Sequence, residues 1–250
     1  MTAKEKVNTY RKQAIVVGIL FIIATAFLFI GKAFYAPILE SPDYLNEAYP
    51  NRIMATIGIL LEFACVLSIP LIPIVLFPIL KKQNETLALS YVVFRFFEAV
   101  LFILVEINAL LLINVSELYL ENGGADITYL QSIGHSIQSW NAWGFTFYVI
   151  IFTSGALMFY TVLYQSKLVP RFLSVWGFLS AALLLVGSVM ALLEVPFTTG
   201  ASFELIFAMP IAINEMVLAV WLIFKGFNPA ALAMPTGTDT REKRPLIAHA

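Results

Sequence analysis

Charge is scarce in this chain: Asp, Glu, Lys and Arg make up 12% of its 250 residues, against 60% hydrophobic residues. That balance lies outside the range of soluble globular domains. Cysteine and histidine are rarer still, with one Cys and two His. A lone cysteine excludes an intramolecular disulfide, and Cys65, inside an apolar run, reads as a small packing residue. His135 and His249 stand far apart with no further His or Cys to complete a zinc set, so no metal is expected. No Gly-rich phosphate loop, helical His pair or Ser-His-Asp set is present, and no cofactor is expected. Strict polar–apolar alternation over about ten residues is also missing, which excludes an outer-membrane barrel.

Long charge-poor runs are abundant, and the mean hydropathy is +0.86. Six of them, over 14–34, 53–80, 87–115, 142–164, 172–194 and 203–225, have the ~20 residues that an α-helix needs to cross a ~30 Å hydrocarbon core. The expected fold is therefore an all-α integral membrane protein, a six-transmembrane-helix bundle over 1–227. The first span is too long for a signal-peptide core and has no small-residue cleavage site after it, so it reads as mature structure.

The net charge of −1 hides a strong sidedness. Lys4, Lys6, Arg11 and Lys12 precede the first span, and Lys81, Lys82, Lys167 and Arg171 fill the second and fourth loops. Lys225, Arg241, Lys243 and Arg244 end the chain. The odd loops carry Glu40, Asp43, Glu47, Glu117, Glu121 and Asp126 against a single Arg52. The positive-inside rule thus places both termini in the cytoplasm. Short even loops make spans two and three, and spans four and five, antiparallel hairpins. In the third loop Leu130, Ile133, Ile137 and Trp140 recur at helical spacing, which predicts a separate interfacial helix over about 126–139. The Pro-, Gly- and Thr-containing tail over 228–250 reads as disordered.

Ionisable residues inside spans are expensive, roughly 2.5–3.5 kcal/mol each at mid-helix, so each needs a partner or a purpose. Five stand out: Glu62, Arg95, Glu98, Glu106 and Glu215. Arg95 and Glu98 are three apart on one helix and are expected to form a structural ion pair. With Tyr91, Phe102 and Glu106 they share one stripe that should face the bundle interior. Glu106 is about 16 Å along the axis from Arg95 and needs another partner. Counted from the outer ends of their spans, Glu62, Glu106 and Glu215 fall in one layer. Lys32 reads as snorkelling to the surface rather than reaching this layer. Burial and like-charge neighbours both favour a neutral carboxyl there. Pro210 is expected to kink the last span one turn before Asn214 and Glu215. A ligand-binding cavity lined by Glu62, Glu106, Asn214 and Glu215 is the leading expectation.

The segments YVVFRFFE (91–98) and IAINEMVLAVWLIFKGFN (211–228) resemble a bacterial membrane-protein family, domain of unknown function 4386, and the likeness runs from the first span to Asn228. The Asn-Glu pair of the final span followed by Lys-Gly-Phe-Asn is the most specific of its features. The resemblance implies a multi-pass protein of the bacterial inner (cytoplasmic) membrane and no known activity. The placement of Glu62 on an early span and Glu215 on the last is also similar to fungal membrane terpene cyclases. Those have seven spans and an aspartate on the last, whereas six spans and a glutamate stand here.

Three functions follow from these residues. The first is binding or transport of a cation, amine or small amphiphile coupled to carboxyl protonation. The second is an enzyme acting on a lipid or isoprenoid, with Glu62 and Glu215 as catalytic acid and base. The third is a structural or accessory membrane subunit whose acids are satisfied between helices. The partners implied are the lipid bilayer and a small-molecule or lipid ligand, with no nucleic acid; the oligomeric state stays open.

Overall fold

A computed structural model of the protein describes residues 3–121, 127–196 and 203–232. The elements are α1 (Ala3–Leu39), α2 (Tyr44–Glu47), α3 (Arg52–Leu80), α4 (Glu85–Glu121), α5 (Ile127–Ser166) and α6 (Arg171–Leu192). A π-helical turn (Glu204–Ala208), α7 (Met209–Phe224) and a short α8 (Pro229–Leu232) follow. No strand occurs among the described residues. Six helices are long and apolar enough to cross a membrane, as the runs of the sequence require. The chain is an all-α, multi-pass membrane bundle.

The six long helices close a ring, α1 against α3, α3 against α4, and so on through α5, α6 and α7 back to α1. Its surface is inverted relative to a soluble protein. On α4, Phe96, Phe97, Val100 and Leu104 point outward, while Tyr91, Arg95, Glu98, Phe102 and Glu106 are all buried. The stripe expected to face the interior does so. Lipid solvates the apolar outer face at no cost, so the driving force for closing the ring is packing and polar pairing inside.

At one end, here the terminal face, the chain's last helical turns are clamped. Arg11 Nη1 donates to Leu222 O at 3.0 Å, and its Nη2 donates to Ile223 O at 2.5 Å and Phe224 O at 3.2 Å. An arginine on the final carbonyls of α7 satisfies acceptors that the helix itself leaves open and complements its dipole. Gly226, at φ 73°, ends α7 in the left-handed conformation that glycine adopts without strain. Asn228 then donates from its backbone to Leu168 O at 2.9 Å and from Nδ2 to Lys167 O at 3.3 Å. Arg11 thus fastens the end of α7 to α1, and Asn228, the last residue of the Lys-Gly-Phe-Asn feature, fastens the chain to the α5–α6 loop.

At the other end, the α2 face, a small second core forms from Ile38, Tyr44, Leu45, Ala48, Ile59, Ala109 and Ile113, with Ile133 and Ile137 packed on it. Ser116 Oγ accepts from Tyr49 N at 2.9 Å and donates to Leu45 O at 2.7 Å, pinning α2 to α4. Here the structure corrects the sequence reading. The residues over 126–139 are not a separate interfacial helix; from Ile127 they are the first turns of a continuous α5 reaching Ser166. Of their apolar stripe, Ile133 and Ile137 pack on the core of α2 and the end of α1 while Trp140 stays exposed, and no proline interrupts the segment. Of the 228–250 tail, Pro229–Leu232 is helical and Gln83 Nε2 donates to Ala231 O at 3.2 Å. Residues 233–250 lie outside the described residues, as does Asp126.

Candidate functional site: two ionisable layers

The carboxyl layer is built around a close helix crossing. Gly31 of α1 and Gly58 of α3 let the backbones touch: a Cβ on Gly31 would stand 2.6 Å from Gly58 O and 2.5 Å from Glu62 Cγ. A Cβ on Gly58 would stand 2.7 Å from Gly31 O. One helical turn after Gly31, Tyr35 reaches across and donates its hydroxyl to Glu62 Oε2 at 3.3 Å. From α4, Glu106 faces Glu62 directly, and the two carboxyls act on one another. Both are buried, at 1% and 5% exposure. Glu62 Oε1 and both oxygens of Glu106 have no hydrogen-bond partner. Two acids therefore face each other in the bundle interior, with a phenol bonded to one of them and no cation in contact among the described residues. Such a pair is stable only when a proton bridges it or a cation sits on it.

Lys32 does not supply that cation. It lies at the surface, as the sequence suggests, and forms an ion pair there with Glu204 of the π-helical turn. Both side chains are well exposed, at 35% and 47%, so this is a surface pair of small energetic weight.

The second layer lies nearer the terminal face. Arg95 Nη1 donates to Glu98 Oε1 at 3.0 Å and Oε2 at 2.9 Å, with side-chain exposures of 4% and 1%. The expected pair is therefore present. The guanidinium also lies over the ring of Phe152, 5.5 Å from its centroid. Glu215 faces this arginine from α7. Its position corrects the single-layer expectation: Glu215 stands about 14 Å from the α7 end at Phe224, and Arg95 about 15 Å from the start of α4 at Glu85. Glu62, about 27 Å from the same face at Leu80, belongs to a different layer. Asn214 joins neither carboxyl; its Nδ2 donates to Leu173 O at 3.1 Å. Glu62 and Glu215, separated by roughly 13 Å along the axis, stand too far apart to act as acid and base on one reacting atom.

Between the layers sits an apolar girdle. Phe102 and Tyr148 pack with ring centroids 4.7 Å apart, and Cys65 lies within the field of Glu62 on one side and of Arg95, Glu98 and Glu215 on the other. Two grooves open on the surface near the α2 face. One of about 460 Å³ is lined by residues including Asn108, Tyr129 and Trp140, and one of about 420 Å³ by residues including Phe29, Lys32 and Glu204. None of Glu62, Glu106, Asn214 and Glu215 lines either groove.

Sequence reasoning missed Tyr35, Tyr160 and Ser174. Tyr35 carries no signal of its own in the sequence; the Gly31–Gly58 crossing that aims it could have been sought as small residues on two neighbouring spans. Pro210 was found, but its effect takes another form. A π-helical turn precedes it, with Met209 N bonded to Glu204 O, so an inserted residue accommodates the proline. Among the described residues no cluster of three His, Cys, Asp or Glu has metal-site geometry.

No curated protein and no solved structure matches this chain. A family model described as Domain of unknown function (DUF4386) matches residues 16–226, a span that holds both ionisable layers. The chain belongs to the DUF4386 family of domains of unknown function.

Proposed function

We propose that this protein is a cation-binding membrane bundle, whose Glu62–Glu106 pair holds a small cation or organic amine in exchange for a proton. The observation that carries the reading is the pair itself: two buried, facing carboxyls that, among the described residues, have three oxygens unpartnered and Tyr35 as their donor. In a low-dielectric interior two uncompensated carboxylates are too costly to persist. Protonation and cation binding are then alternatives at one place, which couples ligand occupancy to pH. The charge sidedness of the loops supports an orientation with the terminal face in the cytoplasm and the α2 face outside. On that orientation the site lies nearer the outer leaflet, beneath the α2 cap. Whether the bound cation crosses the membrane is a further step; the Phe102–Tyr148 girdle would have to open for it.

Calorimetric titration of the protein in lipid nanodiscs with sodium, potassium and methylammonium tests the reading. Binding of at least one is expected at alkaline pH, weakening as protons compete at acidic pH. Glu62→Gln and Glu106→Gln should each reduce that affinity at least tenfold. Binding that ignores both substitutions, or no binding of any of the three cations at any pH, overturns the proposal.

A further inference from the structure

The deeper layer carries its own unbalanced charge. One guanidinium, Arg95, serves two carboxyls, Glu98 and Glu215, so one negative charge is left over when both acids are ionised. The two are treated differently by the fold. Glu98 is fully enclosed and takes both hydrogen bonds from a single nitrogen of Arg95, Nη1. Glu215 is only half-buried and makes no direct hydrogen bond or ion pair among the described residues. The arginine's Nε, on the remaining edge of the fork, has no partner.

The surroundings of Glu215 are polar and incompletely satisfied. Tyr160 of α5 lies flat over Gly177 of α6, where a Cβ would stand 2.1 Å from its ring. Ser174 is one turn from Gly177 on the same face, and Asn214 donates to the carbonyl of its neighbour Leu173. The Tyr160 hydroxyl, Ser174 Oγ, Asn214 Oδ1 and Arg95 Nε are all buried without partners. Among the described residues, four buried polar atoms from four helices on this side of the bundle thus lack a partner, and such atoms are costly if left dry. They offer the two to four partners that an internal water requires.

We propose that Glu215 is a proton-exchanging site in its own right, served by internal water held on Tyr160, Ser174 and Asn214, with Arg95 as a counter-ion shared between Glu98 and Glu215. The step is a simple transfer: a proton moves from hydronium to a Glu215 carboxylate oxygen, water departs, and the layer becomes neutral with Arg95 left on Glu98. The reverse step returns the proton and draws Arg95 toward Glu215. The groups facing Glu215 are Cys65 from α3, Tyr91, Arg95 and Glu98 from α4, and Tyr148 and Tyr160 from α5. The thiol and the three phenols of this set are neutral at neutral pH, and Glu98 is held by two hydrogen bonds from Arg95 that Glu215 lacks. This site stands on residues distinct from the Glu62–Glu106 pair and does not depend on cation binding there.

Infrared difference spectroscopy across a pH titration, on the protein in lipid nanodiscs, tests it through the carboxylic C=O band. Wild type is expected to show a titrating component that Glu215→Gln removes and that Glu62→Gln leaves in place. Glu98→Gln frees Arg95 for Glu215, so this component should give up its proton at least one pH unit lower. Should Glu215→Gln fail to fold, Glu215→Asp keeps an acid at the position and must shift the band. A full set of titrating components surviving in Glu215→Gln, or an unshifted band in Glu215→Asp, overturns the proposal. An unmoved component in Glu98→Gln overturns the shared counter-ion. Failure of cation binding at Glu62 and Glu106 would leave all of these outcomes readable.

Discussion

The two ionisable layers of this bundle solve one problem in opposite ways. In the deeper layer a buried acid, Glu98, is matched by an arginine three residues earlier on the same helix, with two hydrogen bonds near 3 Å. In the other, Glu62 and Glu106 come from different helices and, among the described residues, meet a phenol and each other with no cation bonded to either. A matched pair is glue of the kind that membrane bundles commonly use. An unmatched pair does little to hold helices together, and it costs free energy unless something arrives to neutralise it. On the proposed reading, the Arg95–Glu98 contact holds the bundle together and the Glu62–Glu106 pair waits for a ligand.

The comparison is broken most severely by removing the cation. Arg95→Met leaves Glu98 and Glu215 without a counter-ion in the interior, and a loss of about 3–5 kcal/mol in stability is expected. Steric trapping in bicelles would measure it; a loss below 1 kcal/mol would mean that Glu98 is not ionised in the folded state. Glu62→Gln, by contrast, exchanges a like charge for an amide that can donate to Glu106. Its cost should stay within about 1 kcal/mol.

A smaller effect comes from Gly31→Ala, which disturbs the carboxyl layer without touching its charge. The new methyl would meet Glu62 Cγ at 2.5 Å and Gly58 O at 2.6 Å, and the second contact is backbone that cannot step aside. Overpacking of about 1–3 kcal/mol is expected. With it should come displacement of Tyr35 from Glu62, read as a shift of the Glu62–Glu106 infrared component. A variant that keeps wild-type stability and spectrum would show that the crossing does not position this site.

Much of this architecture was legible in the sequence, because span length is a long-range property that no single contact can overturn. The interior stripe of α4 was readable for a similar reason, since a 3.6-residue period fixes which side chains share a face. Depth was not readable across helices. Glu215 was assigned to the carboxyl layer by counting from the outer end of its span, yet that span covers Glu204–Phe224 while α4 covers Glu85–Glu121. Counting from the terminal face places Glu215 beside Arg95. Lys32 stays at the surface as its sequence position suggests, but its pairing with Glu204, 172 positions away, has no local signal. The helix over 126–139 was split from α5 because periodicity reports a face, and a face does not say whether the axis bends.

The smallest expected effect lies at the cap above the carboxyl layer. Tyr44 of α2 is buried at 4% exposure, its hydroxyl has no partner, and it fits a notch at Gly134, where a Cβ would stand 1.8 Å from that hydroxyl. Burial holds its phenol above the usual value. An unpaired buried hydroxyl contributes nothing that a phenyl ring would lose, so Tyr44→Phe should be neutral or slightly stabilising at neutral pH. The pH dependence carries the sharper signature. A phenol raised in the folded state stabilises fully below its unfolded value of about 10 and loses that contribution as pH rises through the folded value. Tyr44→Phe should remove this alkaline loss and leave the acid limb unchanged, as thermal melts from neutral to strongly alkaline pH would report. A melt that drops at neutral pH would instead reveal a hydrogen bond to Tyr44 and a cap tied down more firmly than the apolar contacts of α2 imply. The carboxyl layer beneath would then be sealed by a polar latch, and its exchange with solvent would depend on breaking that bond.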